Sequence, residues 1–134
     1  MRCKLNSTKK LLILFFITAI SLFIVSCKSK PNFNSLREVS YSKEIAPIVS
    51  ANCTFSGCHE SGKSHHHDDE FGLNTYSDLT RAGIDPGYPE KSELYATLVS
   101  LNDNKVMPRK PYNRLSDTQI QLIYVWIGQG AKNN

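Results

Sequence analysis

The sequence predicts a small all-α domain that is rich in loops. Four segments place apolar residues at the spacing of one helix face, and no stretch alternates apolar and polar residues with the period of a strand. The chain has 134 residues, a length that accommodates one domain and excludes a multidomain enzyme. The helices follow an N-terminal segment of a different character.

Residues 1–26 have the composition of a lipoprotein signal peptide. A basic start precedes the apolar run Leu11–Val25, which is 15 residues long and shorter than the ~20 residues that span a bilayer. Aliphatic and small residues then precede Cys27, a pattern that resembles the bacterial lipobox, in which the cysteine is acylated and becomes the new N-terminus. The alternative is an uncleaved membrane anchor.

Residues 27–40 follow as a polar segment with one proline and no periodicity. We interpret them as a tether between the acylated Cys27 and the domain. The prediction is an exported protein, lipid-anchored in the cell envelope on the periplasmic or outer-membrane side.

The charge of the chain is unevenly distributed. Lysine and arginine number 16 and aspartate and glutamate number 12, and four basic residues but no acidic residue fall within 1–26. The remaining 108 residues therefore carry 12 charges of each sign. A neutral body lacks the basic surface that nucleic acids require, so this class of partner is excluded.

The first predicted helix lies near Ser42–Ala51. Pro47 is tolerated in it because the proline falls close to the helix start. The residues that share its apolar face are Ile45, Ile48 and Val49.

Two further helices are predicted over Thr75–Ala82, ended by Gly83, and over Ser92–Leu101. The residues at helical spacing in the second of these are Leu94, Tyr95, Leu98 and Leu101.

The clearest helix starts after Ser116. Ser116 and Gln119 have the spacing of a capping box, and Asp117 suits the positive end of the helix dipole. Gly128 and Gly130 supply the stop. The residues of the expected buried stripe are Ile120, Ile123, Tyr124 and Ile127.

Long connections at 52–74 and 102–115 separate these helices. A body of this size cannot support so much loop by side-chain burial alone. The pattern therefore favours a core that is completed by a non-protein group.

The first connection contains the motif C-x4-C-H, formed by Cys53, Cys58 and His59. The signature of covalently attached haem is C-x-x-C-H, in which two thiols add to the haem vinyl groups and the histidine becomes the proximal iron ligand. The adjacency of Cys58 and His59 is the strict requirement. The segment between the thiols can loop out, and Gly57 eases that turn.

Three other interpretations of these cysteines stay open at this point. A Cys53–Cys58 disulfide suits an oxidising compartment but leaves His59 unexplained. A zinc site would need further ligands, such as one of His65–His67, and the spacing matches no usual zinc pair. Unrelated surface thiols are the third possibility.

Met107 is the one methionine besides Met1. It lies in a polar loop and is followed by Pro108, a poor position for a core residue. A thioether in this loop is suited to be the sixth ligand of a haem iron, and Trp126 of the last helix is expected to supply an apolar wall.

The chain resembles single-haem c-type cytochrome domains that occur as exported bacterial lipoproteins. The resemblance covers most of 41–134 and rests on Tyr41–Ile48, the C-x4-C-H motif, Phe71–Tyr76, Met107-Pro108, Leu115–Asp117 and Trp126–Ala131. It implies an all-α, cytochrome c-like fold around one covalent haem c, with Cys53 and Cys58 as thioether anchors and His59 and Met107 as iron ligands. It also implies one-electron transfer with redox partner proteins. Iron held on both sides leaves no position for a substrate, so we expect an electron carrier, not an enzyme.

Residues 60–70 do not match the family and form a predicted insertion that contains His65–His67. The bland interpretation is a solvated polar loop. The functional one is capture of a transition metal by imidazole and carboxylate groups. On that basis the rival function is a metal-binding or haem-sensing lipoprotein.

Overall fold

The structure, a computed structural model, describes Thr8 and residues 31–60 and 72–134. Residues Asn32–Asn134 form one compact unit, and Met1–Pro31 form a separate one that lies almost wholly outside the described residues. The predictions for the signal peptide, Cys27 and His65–His67 also lie outside them. In the described part every regular element is a helix or a helical turn and none is a strand, which confirms the all-α class.

Four α-helices form the framework of the larger unit. In chain order they are α1 (Ala46–Asn52), α2 (Tyr76–Arg81), α3 (Glu93–Val99) and α4 (Asp117–Gly128). A π-helical turn, Tyr41–Ile45, runs directly into α1, and 3-10 turns lie at Phe33–Ser35 and Pro89–Lys91. All four predicted helices are present, whereas the two 3-10 turns were not predicted.

The helix starts follow from local sequence. Ser116 accepts a hydrogen bond from the backbone N–H of Gln119, and the Gln119 side chain accepts one from the N–H of Ser116, which confirms the predicted capping box. Thr75 and Asp78 form the same arrangement at α2. Pro47 lies in the first turn of α1, and its missing N–H falls where the π-helical turn changes to an α-helix.

The predicted tether 27–40 requires a correction. Residues from Asn32 onward belong to the folded unit. The Gln129 side chain after α4 accepts a hydrogen bond from the N–H of Val39 at 2.9 Å, and it donates to the carbonyls of Phe33 and Arg37 at 3.2 and 2.9 Å. Val39 is buried. The backbone of this segment is therefore held by one side chain that follows α4, and Val39 joins the core.

The core lies where the segment before α1 meets α2, α3 and α4. Trp126 is 1% exposed, and its ring contacts those of Tyr41 and Tyr76. The buried residues of α4 are Ile123, Trp126 and Ile127, whereas Ile120 and Tyr124 are half-buried. The centre of the buried stripe is therefore shifted from the predicted one toward Trp126.

The predicted end of the third helix is wrong. α3 ends at Val99, and Leu101, which was placed on its apolar face, is 94% exposed. The Arg114 guanidinium donates to the carbonyls of Leu98 and Ser100 at 3.4 and 2.7 Å. These bonds cap the helix from a distant loop, so the chain leaves the helix before Leu101.

Candidate functional site

A cavity of about 410 Å³ opens beside α3, between the C-x4-C-H segment and the 102–115 loop. Cys53, Cys58, His59 and Met107 all line it. Met107 follows His59 by 48 positions in the sequence, yet the fold brings both to the same space. The volume is within the range of small-molecule and cofactor sites.

The rest of the lining is largely apolar. The apolar residues that contribute to it are Leu73, Ala82, Leu94, Leu98 and Pro108. Trp126, which was expected to supply a wall, is not among the lining residues. It packs in the core instead, where its indole N–H donates to the carbonyl of Lys132 at 2.9 Å. Helical periodicity predicted that Trp126 is buried but not which space it faces.

The C-x4-C-H segment forms a closed turn after α1. The N–H of His59 donates to the carbonyl of Cys53 at 3.1 Å, and the N–H of Cys58 donates to that of Phe55 at 2.9 Å. Gly57 adopts a φ of +82°, a conformation that residues with a Cβ rarely take. The residues between the thiols therefore loop out as predicted, while both thiols and His59 stay at one wall of the cavity.

The described residues on either side of the predicted insertion contact each other at the site. The carbonyl of His59 accepts a hydrogen bond from the N–H of Leu73 at 3.0 Å, and Leu73 is buried. His59 and Leu73, the described residues that bracket the predicted insertion, are therefore adjacent at the cavity.

Both thiols are free in the structure, so the disulfide alternative is not formed here. Burial raises the pKa of the Cys53 thiol to about 11, and the nearby Cys58 adds to the shift. Cys53 is therefore a neutral thiol at pH 7. Within the described residues, no group of three or more His, Cys, Asp or Glu side chains could hold a metal ion, so the zinc alternative has no ligand set there.

The loop that carries Met107 is fastened to α3. The N–H of Met107 donates to the carbonyl of Thr97 at 3.1 Å, and the residues on either side, Val106 and Pro108, are buried. Met107 itself is half-buried at the cavity. The backbone is thus held in place while the thioether remains available to a ligand inside.

An aromatic pair joins the two walls of the cavity. The rings of Phe55, between the two cysteines, and Tyr112, in the Met107 loop, stack with centroids 4.6 Å apart and planes 4° from parallel. Neither residue was predicted from the sequence to belong to the site. The available signal was an aromatic side chain in each of two polar loops that flank predicted ligands.

The rim of the cavity on the Met107 side is basic. Arg109 and Lys110 line the cavity, and Lys110 forms an exposed ion pair with Asp103 at 3.1 Å. Haem has groups that match this lining. Its vinyl groups match the two thiols, its iron matches the imidazole and the thioether, and its carboxylates match these cations. The residues present are therefore compatible with haem.

Comparisons with protein-family models, with curated proteins and with solved structures found no match for this chain. Among the described helices, none is both long enough and apolar enough to cross a membrane.

Proposed function

We propose that this protein is a membrane-tethered, single-haem c-type cytochrome with a cytochrome c-like fold that transfers one electron at a time. The observation that carries the proposal is the convergence of Cys53, Cys58, His59 and Met107 on one cavity. The sequence motif accounts for the first three residues alone. That the fourth comes to the same cavity from a separate loop supports a site in which His59 and Met107 would both hold a haem iron.

The residues that line the cavity have different roles in this proposal. Cys53 and Cys58 would hold the haem through two thioether bonds, each made by adding one S–H group across one vinyl group. His59 would offer its imidazole from the segment that carries the thiols, and Met107 would offer its thioether from the separate 102–115 loop. Haem bound there would supply an Fe(III)/Fe(II) couple, the potential of which is raised by a His/Met ligand pair.

The apolar lining limits the access of water. Leu73, Leu94 and Leu98 are buried and line the cavity. The apolar part of the lining, together with a full set of ligands, would favour electron transfer over reaction with a substrate. The cations at the rim, Arg109 and Lys110, suit a redox partner protein with an acidic docking surface.

The decisive experiment asks whether the exported protein carries haem that resists extraction. The full chain is expressed with haem attachment in operation, denatured and extracted with acidic acetone, and its mass is measured. We expect the colour to remain with the polypeptide and the mass to increase by one haem. Changing both Cys53 and Cys58 to serine should remove this haem.

Ser56→Ala is the matched control, because Ser56 lies between the two cysteines, is exposed and does not line the cavity. This variant should keep its haem. A colourless wild type, or a double serine variant that retains haem after extraction, would refute the proposed function.

A further inference from the structure

We propose that Phe55 and Tyr112 form a latch, defined as this one stacked pair, that positions Met107 at the cavity. This inference rests on the proposed function. It gives a role to the wide cysteine spacing, because the residues that loop out between Cys53 and Cys58 include Phe55.

The geometry connects two separate parts of the site. Phe55 belongs to the turn that holds the thiols and His59, and its carbonyl accepts the hydrogen bond from Cys58 that closes this turn. Tyr112 lines the cavity from the loop that carries Met107. The stack, with its centroid separation of 4.6 Å, therefore spans from the histidine wall to the methionine loop.

The other anchors of the loop leave a role for such a contact. The N–H of Met107 is bonded to Thr97, and Arg114 at the far end is bonded to the carbonyl of Ser100. Both anchors attach the loop to α3 and its end. The Tyr112 ring attaches the stretch between them to the opposite wall, so it limits how far Met107 can move away from that wall.

The expected size of the effect follows from the strength of ring stacking. A stacked aromatic pair is worth a roughly two- to tenfold change in an equilibrium beyond the area that it buries. Without the pair, the equilibrium between a bound and a displaced Met107 thioether should shift toward the displaced state by about the same factor. The latch positions a ligand and does not itself touch the iron.

The test is a titration of the oxidised, haem-loaded full chain with imidazole, which competes with the Met107 thioether and is followed by absorbance. Phe55→Leu and Tyr112→Leu should each bind imidazole roughly two- to tenfold more tightly than wild type, with a weaker sulfur-to-iron band. Tyr112→Phe should restore wild-type affinity. The double leucine variant should resemble either single one, because both remove the same contact.

Two reference variants separate the latch from general destabilisation. Met107→Ala gives the imidazole affinity of a site that lacks the thioether. Ile123→Val weakens the core of α4 away from the cavity, and it should lower the denaturation midpoint without changing imidazole affinity.

Unchanged imidazole affinity in both leucine variants, with tight binding by Met107→Ala, would overturn the latch and leave the proposed function intact. Imidazole binding by Tyr112→Phe as tight as that by Tyr112→Leu would likewise overturn the latch and leave the proposed function intact. A wild-type protein without covalent haem would overturn both.

Discussion

Gly128 provides a test of how the segment before α1 is held to α4. A Cβ built on this glycine would lie 2.5 Å from three carbons of the Phe33 ring, closer than real contacts allow. Gly128→Ala must therefore displace Phe33. The substitution is informative because its two effects have opposite signs.

The steric effect should dominate in the wild-type background. The Phe33 ring is half-buried and contacts Tyr124 with centroids 5.4 Å apart. Losing half of a phenylalanine burial and one ring contact costs about 2 kcal/mol. Replacing a helical glycine by alanine raises the free energy of unfolding by about 0.5–1 kcal/mol. The net loss is about 1 kcal/mol, which lowers the melting temperature by roughly 4–8 °C in a domain of this size.

The same substitution should stabilise a chain that lacks the ring. In a Phe33→Ala background the three atoms closest to the new methyl group are absent, so Gly128→Ala should raise the free energy of unfolding by about 0.5–1 kcal/mol. Denaturant unfolding of the four proteins at equal haem loading, followed by circular dichroism, gives the double-mutant cycle. A stabilising Gly128→Ala in the wild-type background would show that Phe33 is not packed on α4.

Three other predictions concern the anchor, the iron ligand and pH. Cys27→Ser should leave the protein unprocessed or released from the membrane, and a variant that still fractionates as an acylated membrane protein would contradict the lipobox interpretation. Met107→His should lower the reduction potential, with every ~59 mV a tenfold change in the one-electron equilibrium, whereas Met107→Ala should open the iron to added ligands. If the oxidised wild type lacks the sulfur-to-iron band and substitutions in His65–His67 alter the spectrum instead, Met107 is not the ligand. Hydrogen bonds from Arg37 hold the pKa of Glu44 at about 2, below its usual 4.5. Because the pKa of Glu44 is lower in the folded than in the unfolded protein, the ionised carboxylate stabilises the fold above about pH 4.5. This contribution is lost as the pH falls toward 2. Glu44→Gln should therefore be less stable than wild type at pH 7 and equal to it near pH 2 in urea unfolding, and a difference independent of pH would contradict this account.

The sequence predicted the helices well because their signals are local. A capping box needs residues only three positions apart, as Ser116 and Gln119 show. The end of α3 was missed because Arg114, 16 residues away from Leu98, caps it. The apolar period continues to Leu101 whether or not the helix does, so periodicity alone could not locate the end.

The site was predictable to the extent that its chemistry is encoded in short motifs. Cys53, Cys58 and His59 were predicted as a group because the proposed haem attachment depends on their order along the chain. The contact of Phe55 with Tyr112 joins two loops that have no periodicity, so it becomes visible only in three dimensions. The docking of Val39 was hidden for a similar reason, since its partner Gln129 lies 90 positions away.

The contact between Val39 and Gln129 also imposes an order on folding. The segment before α1 has no docking site until the end of α4 has formed, because Gln129 supplies the bonds that hold it. Closing this long loop is a late, entropically costly step.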